Sequence, residues 1–399
     1  MKIVLVNPSD SRADNSLTYP PLGLLYIAGV LKEHDVSVFD MRDGEMSEIP
    51  GADVYGFTCT TYQVTEAKKI SVFLKKKYPG CFTVVGGSHV SALPGDAEDF
   101  FDCVVVGEGE KVINDVIKDR TSGVVVGSPF VDIDRIPFPS RFLLPDYKIV
   151  SPILWEGFRY GTGPKATILL SSRGCPFRCG FCANIRQPVR FRSIDSFVSE
   201  IKSLVSDYGC RHFRFVDDHF TLNKKRLFPM CDALGELDIR FRCSARSDSV
   251  DDDVCRALYD GGCREIGFGV ETADDSLLGV LNKKETVEQH KNAIYTAKKH
   301  GLRVKIFMMA GLPFETWDTI EQNIKFIKDV QPDKIIVTLF TPYPGCDIWE
   351  HPDRYDITFI DKDFSKYHQS YPNISNISTK NVSRDELTEH FNKMNEFIL

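Results

Sequence analysis

Short apolar runs alternate with longer amphipathic stretches along most of the chain, in one block and then, after a proline-rich break, in a second. In the first block Lys2–Val6, Val36–Asp40, Val54–Thr58, Thr83–Val85 and Cys103–Val106 are rich in β-branched residues and too short for helices, which predicts strands. Leu22–Glu33, Gln63–Lys77 and Pro94–Asp99 are predicted as helices between them. Strands apolar on both faces and separated by helices belong in a parallel sheet covered on both sides. Five of them predict a flavodoxin-like, Rossmann-type α/β domain over 1–126, with ligands expected at the carboxyl ends of the strands. Glycine and hydroxyl residues collect at those ends: Thr58-Cys59-Thr60-Thr61-Tyr62, Gly86-Gly87-Ser88-His89 and Gly107-Glu108-Gly109-Glu110. Glycine admits close backbone approach to a ligand, but ordinary strand-to-helix turns use the same residues.

Residues 127–165 break the alternation with Ile136-Pro137-Phe138-Pro139 and Leu144-Pro145-Asp146-Tyr147, and read as a linker. The pattern then resumes six times. Strands are predicted at Ala166–Leu170, His212–Val216, Arg240–Ala245, Glu265–Val270, Arg303–Met309 and Lys334–Phe340. Helices are predicted at Ser193–Asp207, Lys224–Leu237, Asp251–Asp260, Val287–His300 and Thr316–Asp329, with Thr286 as an N-cap and Gly301 as a stop. Five β/α units and a sixth strand fall short of eight, so 166–346 is expected to form a partial, TIM-like (β/α)6 barrel with its chemistry at the carboxyl ends. A polar C-terminal extension, 347–399, ends in a predicted helix at Arg384–Phe397.

Composition narrows the function. A net charge of −7 from 49 Lys+Arg and 56 Asp+Glu argues against nucleic acid or an anionic membrane as the main partner. No run reaches the roughly 18 apolar residues of a membrane span, and Met1–Pro8 reads as a strand entering a turn rather than a signal peptide. Twelve cysteines in 399 residues are too dilute for a disulfide scaffold, so a reducing cytoplasm is expected and clustered cysteines suggest metal or redox chemistry. The sequons at Asn373, Asn376 and Asn381 are then chance matches.

One cluster stands out. Cys175, Cys179 and Cys182 follow the strand Ala166–Leu170 in the spacing C-x3-C-x2-C, bracketed by Gly174, Pro176 and Gly180. Structural zinc usually takes two separated ligand pairs, and no second C-x2-C occurs. Buried structural thiols seldom crowd three to a loop. Thiolates suit an iron–sulfur cluster, and three of them leave one iron open.

This motif after the first strand of a partial barrel, with Phe181 before its last cysteine, resembles the radical S-adenosylmethionine (SAM) superfamily. The resemblance implies that Cys175, Cys179 and Cys182 hold a 4Fe-4S cluster whose open iron binds the amino and carboxylate groups of SAM. An electron then cleaves SAM to methionine and a 5′-deoxyadenosyl radical that abstracts a substrate hydrogen. It also implies an electron donor such as flavodoxin or ferredoxin. Phe215-Val216-Asp217-Asp218, Gly269-Val270-Glu271-Thr272, Gly311-Leu312-Pro313-Phe314-Glu315-Thr316 and Thr341-Pro342-Tyr343-Pro344-Gly345 match the superfamily's habit in order and spacing. Glu271 is expected to accept hydrogen bonds from the SAM ammonium or ribose, or else to pair with a nearby arginine. Arg242 and Arg246 flank Cys243-Ser244-Ala245; alternation is expected to turn at most one inward, as a clamp for the SAM carboxylate. Gly311 and Pro313 are placed beside adenine, with a simple turn as the alternative. Asp217 and Asp218 are placed on the substrate side as a polar contact or base, with helix capping as the alternative.

The first block resembles the cobalamin-binding subgroup through Tyr19-Pro20-Pro21-Leu22-Gly23, Val84-Val85-Gly86-Gly87-Ser88-His89, Gly107-Glu108-Gly109-Glu110 and Ile136-Pro137-Phe138-Pro139. Thr58, Thr60, Tyr62, Gly86, Gly87, Ser88, Gly107 and Glu108 are the implied cobalamin contacts. The best-known pattern supplies a histidine after the first strand; here the slot reads Asn7-Pro8-Ser9-Asp10-Ser11-Arg12, so cobalt would lack that ligand, and Tyr62 is a candidate to cover its lower face. The implied function is a cobalamin-dependent radical SAM methyltransferase acting on an unactivated carbon of a peptide, protein or small metabolite. Cyclisation, rearrangement or oxidation is the alternative outcome, and a non-enzymatic iron–sulfur or zinc regulator the alternative class.

Overall fold

The structure is a computed structural model and describes residues 1–9, 19–152, 155, 163–183, 188–367 and 374–398. Asp10-Ser11-Arg12 of the first loop, part of the linker and the Asn373 sequon lie outside them. The chain divides into two compact units, Met1–Gly163 with Asp363–Tyr367, and Pro164–Lys362 with His368–Leu399. The 127–165 stretch thus packs largely with the first unit, and a short piece of the C-terminal extension returns to it.

The first unit is built on a parallel sheet of β1 (Lys2–Asn7), β2 (Asp35–Asp40), β3 (Val54–Thr58), β4 (Phe82–Gly86), β5 (Cys103–Val106) and β6 (Gly123–Val126), in the order β2-β1-β3-β4-β5-β6. The order reverses between β1 and β3, which opens a crevice at their carboxyl ends. Alternate side chains feed two cores. Ile3, Leu5, Val54 and Val84 pack with α1 (Leu22–Val30) on one face. Val4, Val6, Tyr55 and Val85 pack with α2 (Val64–Lys77) on the other. Three expectations are corrected here. The sheet has a sixth strand, β6, whose residues are largely exposed at the edge and so carry no burial signal. The helix placed at Pro94–Asp99 is a single 3-10 turn at Pro94–Asp96 preceded by a short α3 (Ser88–Ala92). A helix not expected, α4 (Ile113–Asp119), precedes β6.

The linker contributes α5 (Asp146–Ile149). The second unit carries β7 (Ala166–Leu169), a two-residue antiparallel pair of β8 (Ser172–Arg173) with β9 (Arg190–Phe191), then α6 (Ile194–Tyr208), β10 (His212–Phe215), α7 (Lys224–Gly235), β11 (Arg240–Ala245), α8 (Asp252–Asp260) and β12 (Cys263–Glu271). There follow α9 (Asp275–Val280), α10 (Val287–Lys299), β13 (Arg303–Ala310), α11 (Trp317–Val330) and β14 (Lys334–Leu339). The parallel order β7-β10-β11-β12-β13-β14 is the expected half-barrel. Thr286 caps α10 through a capping box with Gln289, and Thr316 does the same for α11 with Thr319. Phe213, Phe215, Phe241 and Phe268 are fully buried against the helical layer. The extension is more structured than its polarity suggested: α12 (Asp347–Glu350), an antiparallel pair of β15 (Ile357–Ile360) with β16 (Ile377–Thr379), and α13 (Arg384–Ile398).

Candidate active site

The cysteine loop leaves β7 and is pinned at both ends. At its start, Asp217, at the carboxyl end of β10, accepts hydrogen bonds from the Ser171 backbone N–H (3.1 and 3.0 Å), the Ser171 hydroxyl (2.8 Å) and the Ser172 hydroxyl. Arg226 of α7 donates to the Ser171 carbonyl at 3.2 Å. At its far end the Gly180 N–H donates to the Leu281 carbonyl at 2.7 Å, and the Gly180 carbonyl accepts from the Ile348 N–H at 3.0 Å. The Asn282 amide donates to the Arg178 carbonyl at 2.6 Å. A Cβ at Gly180 would stand 2.7 Å from the Tyr355 hydroxyl, so a larger residue here would have to displace that side chain.

Between these anchors Cys175 and Cys179 are half-buried and Cys182 is exposed, none of them in a disulfide, whereas every other cysteine except Cys81 is buried. Burial raises the Cys175 and Cys179 thiols above their ordinary range, while the charges of Arg246 and Lys283 pull both down. Among the described residues no three Cys, His, Asp or Glu side chains are gathered tightly enough to hold a metal ion as they stand. In chemistry and position the donor set nevertheless fits a three-thiolate cluster: one loop, accessible sulfurs, neighbouring cations.

The residues around the loop sort differently from expectation. Asp217, expected on the substrate side, is buried and its carboxylate is engaged by Ser171 and Ser172 at the loop's entry. Burial raises its carboxyl, opposed by the hydrogen bonds of Ser172 and Ser171. Asp218 is exposed, and its charge acts on Cys175. Its neighbour His219 is buried, 5.9 Å from the Phe177 ring centre, with Nδ1 unpaired; burial and then the Arg246 charge hold it down at about 4.

Arg242 and Arg246, four apart, are separated by depth along the strand rather than by face, and both are buried. Arg242 sits in the barrel interior, 3.4 Å from Glu265 and toward the amino ends of the strands, away from the cysteine loop. Arg246, just past β11, stacks its guanidinium 3.6 Å from the Phe177 ring centre. It donates to Asp248 (3.1 and 2.7 Å) and to the Lys283 carbonyl (2.9 Å), so its donors are engaged within the protein.

Glu271 ends β12 with φ +66 beside a register shift, and its carboxylate folds back over Gly269, where a Cβ would stand 2.5 Å from Oε1. Its partner is Lys283 at 3.4 Å, not the arginine considered from sequence. Burial raises the Glu271 carboxyl, opposed by Lys283. Lys283 and Glu285 (3.3 Å apart) escaped sequence reading, because Asn282-Lys283-Lys284-Glu285 looks like a solvated run before a helix. Phe181 packs against the Leu281, Met309 and Leu312 core, under Lys283 at 5.9 Å. Gly311 has φ +76, donates its N–H to Glu315 at 2.7 Å, and would place a Cβ 2.6 Å from Leu339. The simple-turn alternative is therefore visible for Gly311, with Pro313 buried in the same turn.

In the first unit the expected cobalamin residues lie at the carboxyl ends of β3, β4 and β5. The Thr60 hydroxyl donates to Gln63 at 2.8 Å, and Gln63 bridges to the Pro8 carbonyl at 2.8 Å, spanning the β1/β3 crevice. Thr58 and Tyr62 are half-buried. Gly87, at φ +117, would put a Cβ 2.6 Å from the Cys59 carbonyl, so α3 can start this close to β3 only from glycine. Gly86 and Gly107 are half-buried, the Gly107 N–H donating to Ser91 at 2.9 Å; Glu108 is half-buried and Ser88 exposed. His89 is spoken for: Nδ1 lies 3.2 Å from the Thr61 hydroxyl, Nε2 3.0 Å from Asp96, and Phe364 of the returning extension packs on its ring at 4.8 Å. The glycine-lined strand ends suit a flat cofactor that needs close backbone approach, without a histidine from this loop.

The signature of the radical SAM superfamily matches residues 169–327, and that of the B12 binding domain matches residues 13–117. An uncharacterized methyltransferase of Pyrococcus horikoshii is 33% identical over 390 residues, covering 88% of this chain and 83% of the relative. An anaerobic magnesium-protoporphyrin IX monomethyl ester cyclase of Rubrivivax gelatinosus is 27% identical over 415 residues, covering 92% and 72%. Among solved structures, the radical SAM methyltransferase TsrM of Kitasatospora setae, with cobalamin and a 4Fe-4S cluster bound, matches in fold with a TM-score of 0.66 at 17% identity, over 88% of this chain and 75% of TsrM. The chain belongs to the radical SAM superfamily and is a radical SAM enzyme. Its B12 binding domain sets it in the cobalamin-dependent branch.

Proposed function

We propose that this enzyme is a C-methyltransferase that binds a 4Fe-4S cluster, SAM and cobalamin and methylates an unactivated carbon. When bound, the cluster and SAM supply a carbon-centred radical and cobalamin a transferable methyl group. The chain's own residues bind and orient. Cys175, Cys179 and Cys182 hold the cluster, and the anchors at Asp217 and Gly180 fix their loop. Glu271, held at the strand end by its left-handed backbone, accepts hydrogen bonds from the SAM ammonium or ribose hydroxyls. Phe181, Gly311 and Pro313 border SAM, and Asp218, exposed beside Cys175, meets substrate. The arrangement favours Arg246 over Arg242 as the arginine at the SAM site, acting by charge rather than as a free clamp. In the first unit Thr58, Thr60, Tyr62, Gly86, Gly87, Ser88, Gly107 and Glu108 line the cobalamin site, with Tyr62 toward the lower face.

The observation that carries this reading is a doubly anchored three-thiol loop in a chain that also holds a B12 binding domain and is 33% identical to a protein named as a methyltransferase. The relation to a cyclase favours a second reading, in which the same machinery closes a ring. Product analysis after turnover with methyl-labelled SAM separates them. A product gaining one labelled methyl supports methylation; unlabelled product of altered bonding contradicts it. Radical SAM enzymes need a reductant, for which flavodoxin or ferredoxin is proposed. Among the described residues no helix is long and apolar enough to cross a membrane, and a reducing cytoplasm is proposed from the free thiols.

A further inference from the structure

The turn between α9 and α10 does more than join two helices. Asn282 and Lys284 both take left-handed backbone, φ +51 and +56, a conformation that side-chain-bearing residues seldom adopt. The result is an alternation in which Asn282, Lys284 and Thr286 face water while Leu281, Lys283 and Glu285 are buried. Lysine is rarely buried this fully without a reason. Its ammonium is bracketed by Glu271 at 3.4 Å and Glu285 at 3.3 Å and stands 5.9 Å from the Phe181 ring centre. Those two carboxylates keep it charged against the opposing effect of burial. The same turn fastens the cysteine loop through Leu281 and Asn282, and its Lys283 and Lys284 carbonyls receive Arg246. The Lys283 charge thus acts on Cys175 and Cys179 from a position fixed relative to their loop.

We propose that Lys283 tunes the reduction potential of the cluster held by Cys175, Cys179 and Cys182, an inference that rests on the cluster reading above. A fixed cation in a poorly screened site favours the state carrying one more electron. Without it, Glu271 and Glu285 face the loop with less compensation and reduction becomes harder. Lys283 is here a positioning residue: it acts through the cluster.

The test is an anaerobic redox titration of the reconstituted full-length chain, read by the paramagnetic signal of the reduced cluster, for wild type, Lys283→Met, Lys283→Gln and Lys283→Arg. At a fixed solution potential the ratio of reduced to oxidised cluster should fall about tenfold in Lys283→Met and Lys283→Gln, which is about 59 mV for a one-electron couple. Lys283→Arg should stay close to wild type. Equal midpoints in all four would overturn the proposal and leave Lys283 a brace. So would loss of the cluster from all three variants. A wild-type chain that takes up no cluster would instead refute the cluster reading itself, so the two failures are distinct.

Discussion

Asp217 offers the sharpest check on how the cysteine loop is held. Its carboxylate accepts one backbone N–H and two hydroxyls from Ser171 and Ser172 while buried. Hydrogen bonds to a charged acceptor contribute about 1.5–3 kcal/mol each, and a stranded buried donor costs about 1–3 kcal/mol. The hydroxyls can turn to other acceptors but the Ser171 N–H cannot, so Asp217→Ala is expected to cost about 4 kcal/mol. Asp217→Asn keeps the shape but sets an NH2 group among donors, which should cost about 2 kcal/mol; Ser172→Ala removes a single donor, about 1 kcal/mol. Against a total stability of about 5–15 kcal/mol these are resolvable steps. Anaerobic urea unfolding followed by circular dichroism, with iron and sulfide content on the same samples, should rank wild type above Ser172→Ala, then Asn, then Ala in both quantities. If Asp217→Asn keeps the wild-type midpoint and iron content and loses only product formation, Asp217 is a substrate base and the anchoring argument is wrong.

Other outcomes follow from the same structure. Gly87→Ala meets the Cys59 carbonyl at 2.6 Å in a left-handed backbone and should destabilise the first unit by roughly 1–3 kcal/mol; cobalamin retained through gel filtration should fall with it, and full retention at unchanged stability would refute the close approach. His219 and His290 are held by burial down at about 4 and about 3. The unfolded chain, with ordinary histidines near 6.5, therefore binds more protons, and stability should decline as pH falls below about 6.5, by on the order of 3 to 5 kcal/mol per histidine once each is titrated. A stability profile flat from pH 7 to pH 5 would contradict this, and His219→Phe should shallow the slope. Cys179→Ala should abolish 5′-deoxyadenosine formation while Cys59→Ala and Cys255→Ala, both buried, leave it largely intact; equal losses in all three would mean the cluster is misplaced.

The half-barrel was legible because its strands are short apolar runs, mostly buried except at β14, between capped helices such as α10. β6 was not, since Gly123–Val126 gains its strand state from edge pairing with β5 rather than from burial. The cysteines, Glu271 and Arg246 were expected together from spacing and from their places after strands, and in the structure the charges of Arg246 and Glu271 act on Cys179. Lys283 and Glu285 could not, because two left-handed residues, not periodicity, turn them inward. For Asp217 the sequence shows a carboxylate at a strand end, and only the structure shows Ser171 and Ser172 donating to it. His89 illustrates the reverse, a histidine in a glycine loop that Thr61 and Asp96 already satisfy.

The central claim, that the three-cysteine loop makes this chain a radical SAM enzyme, is tested most directly by 5′-deoxyadenosine release. Purified anaerobically, reconstituted to about four irons per chain and given SAM with a strong reductant, the wild type should release 5′-deoxyadenosine and methionine, and Cys179→Ala none. A wild-type chain loaded with its cluster that leaves SAM intact would contradict the account.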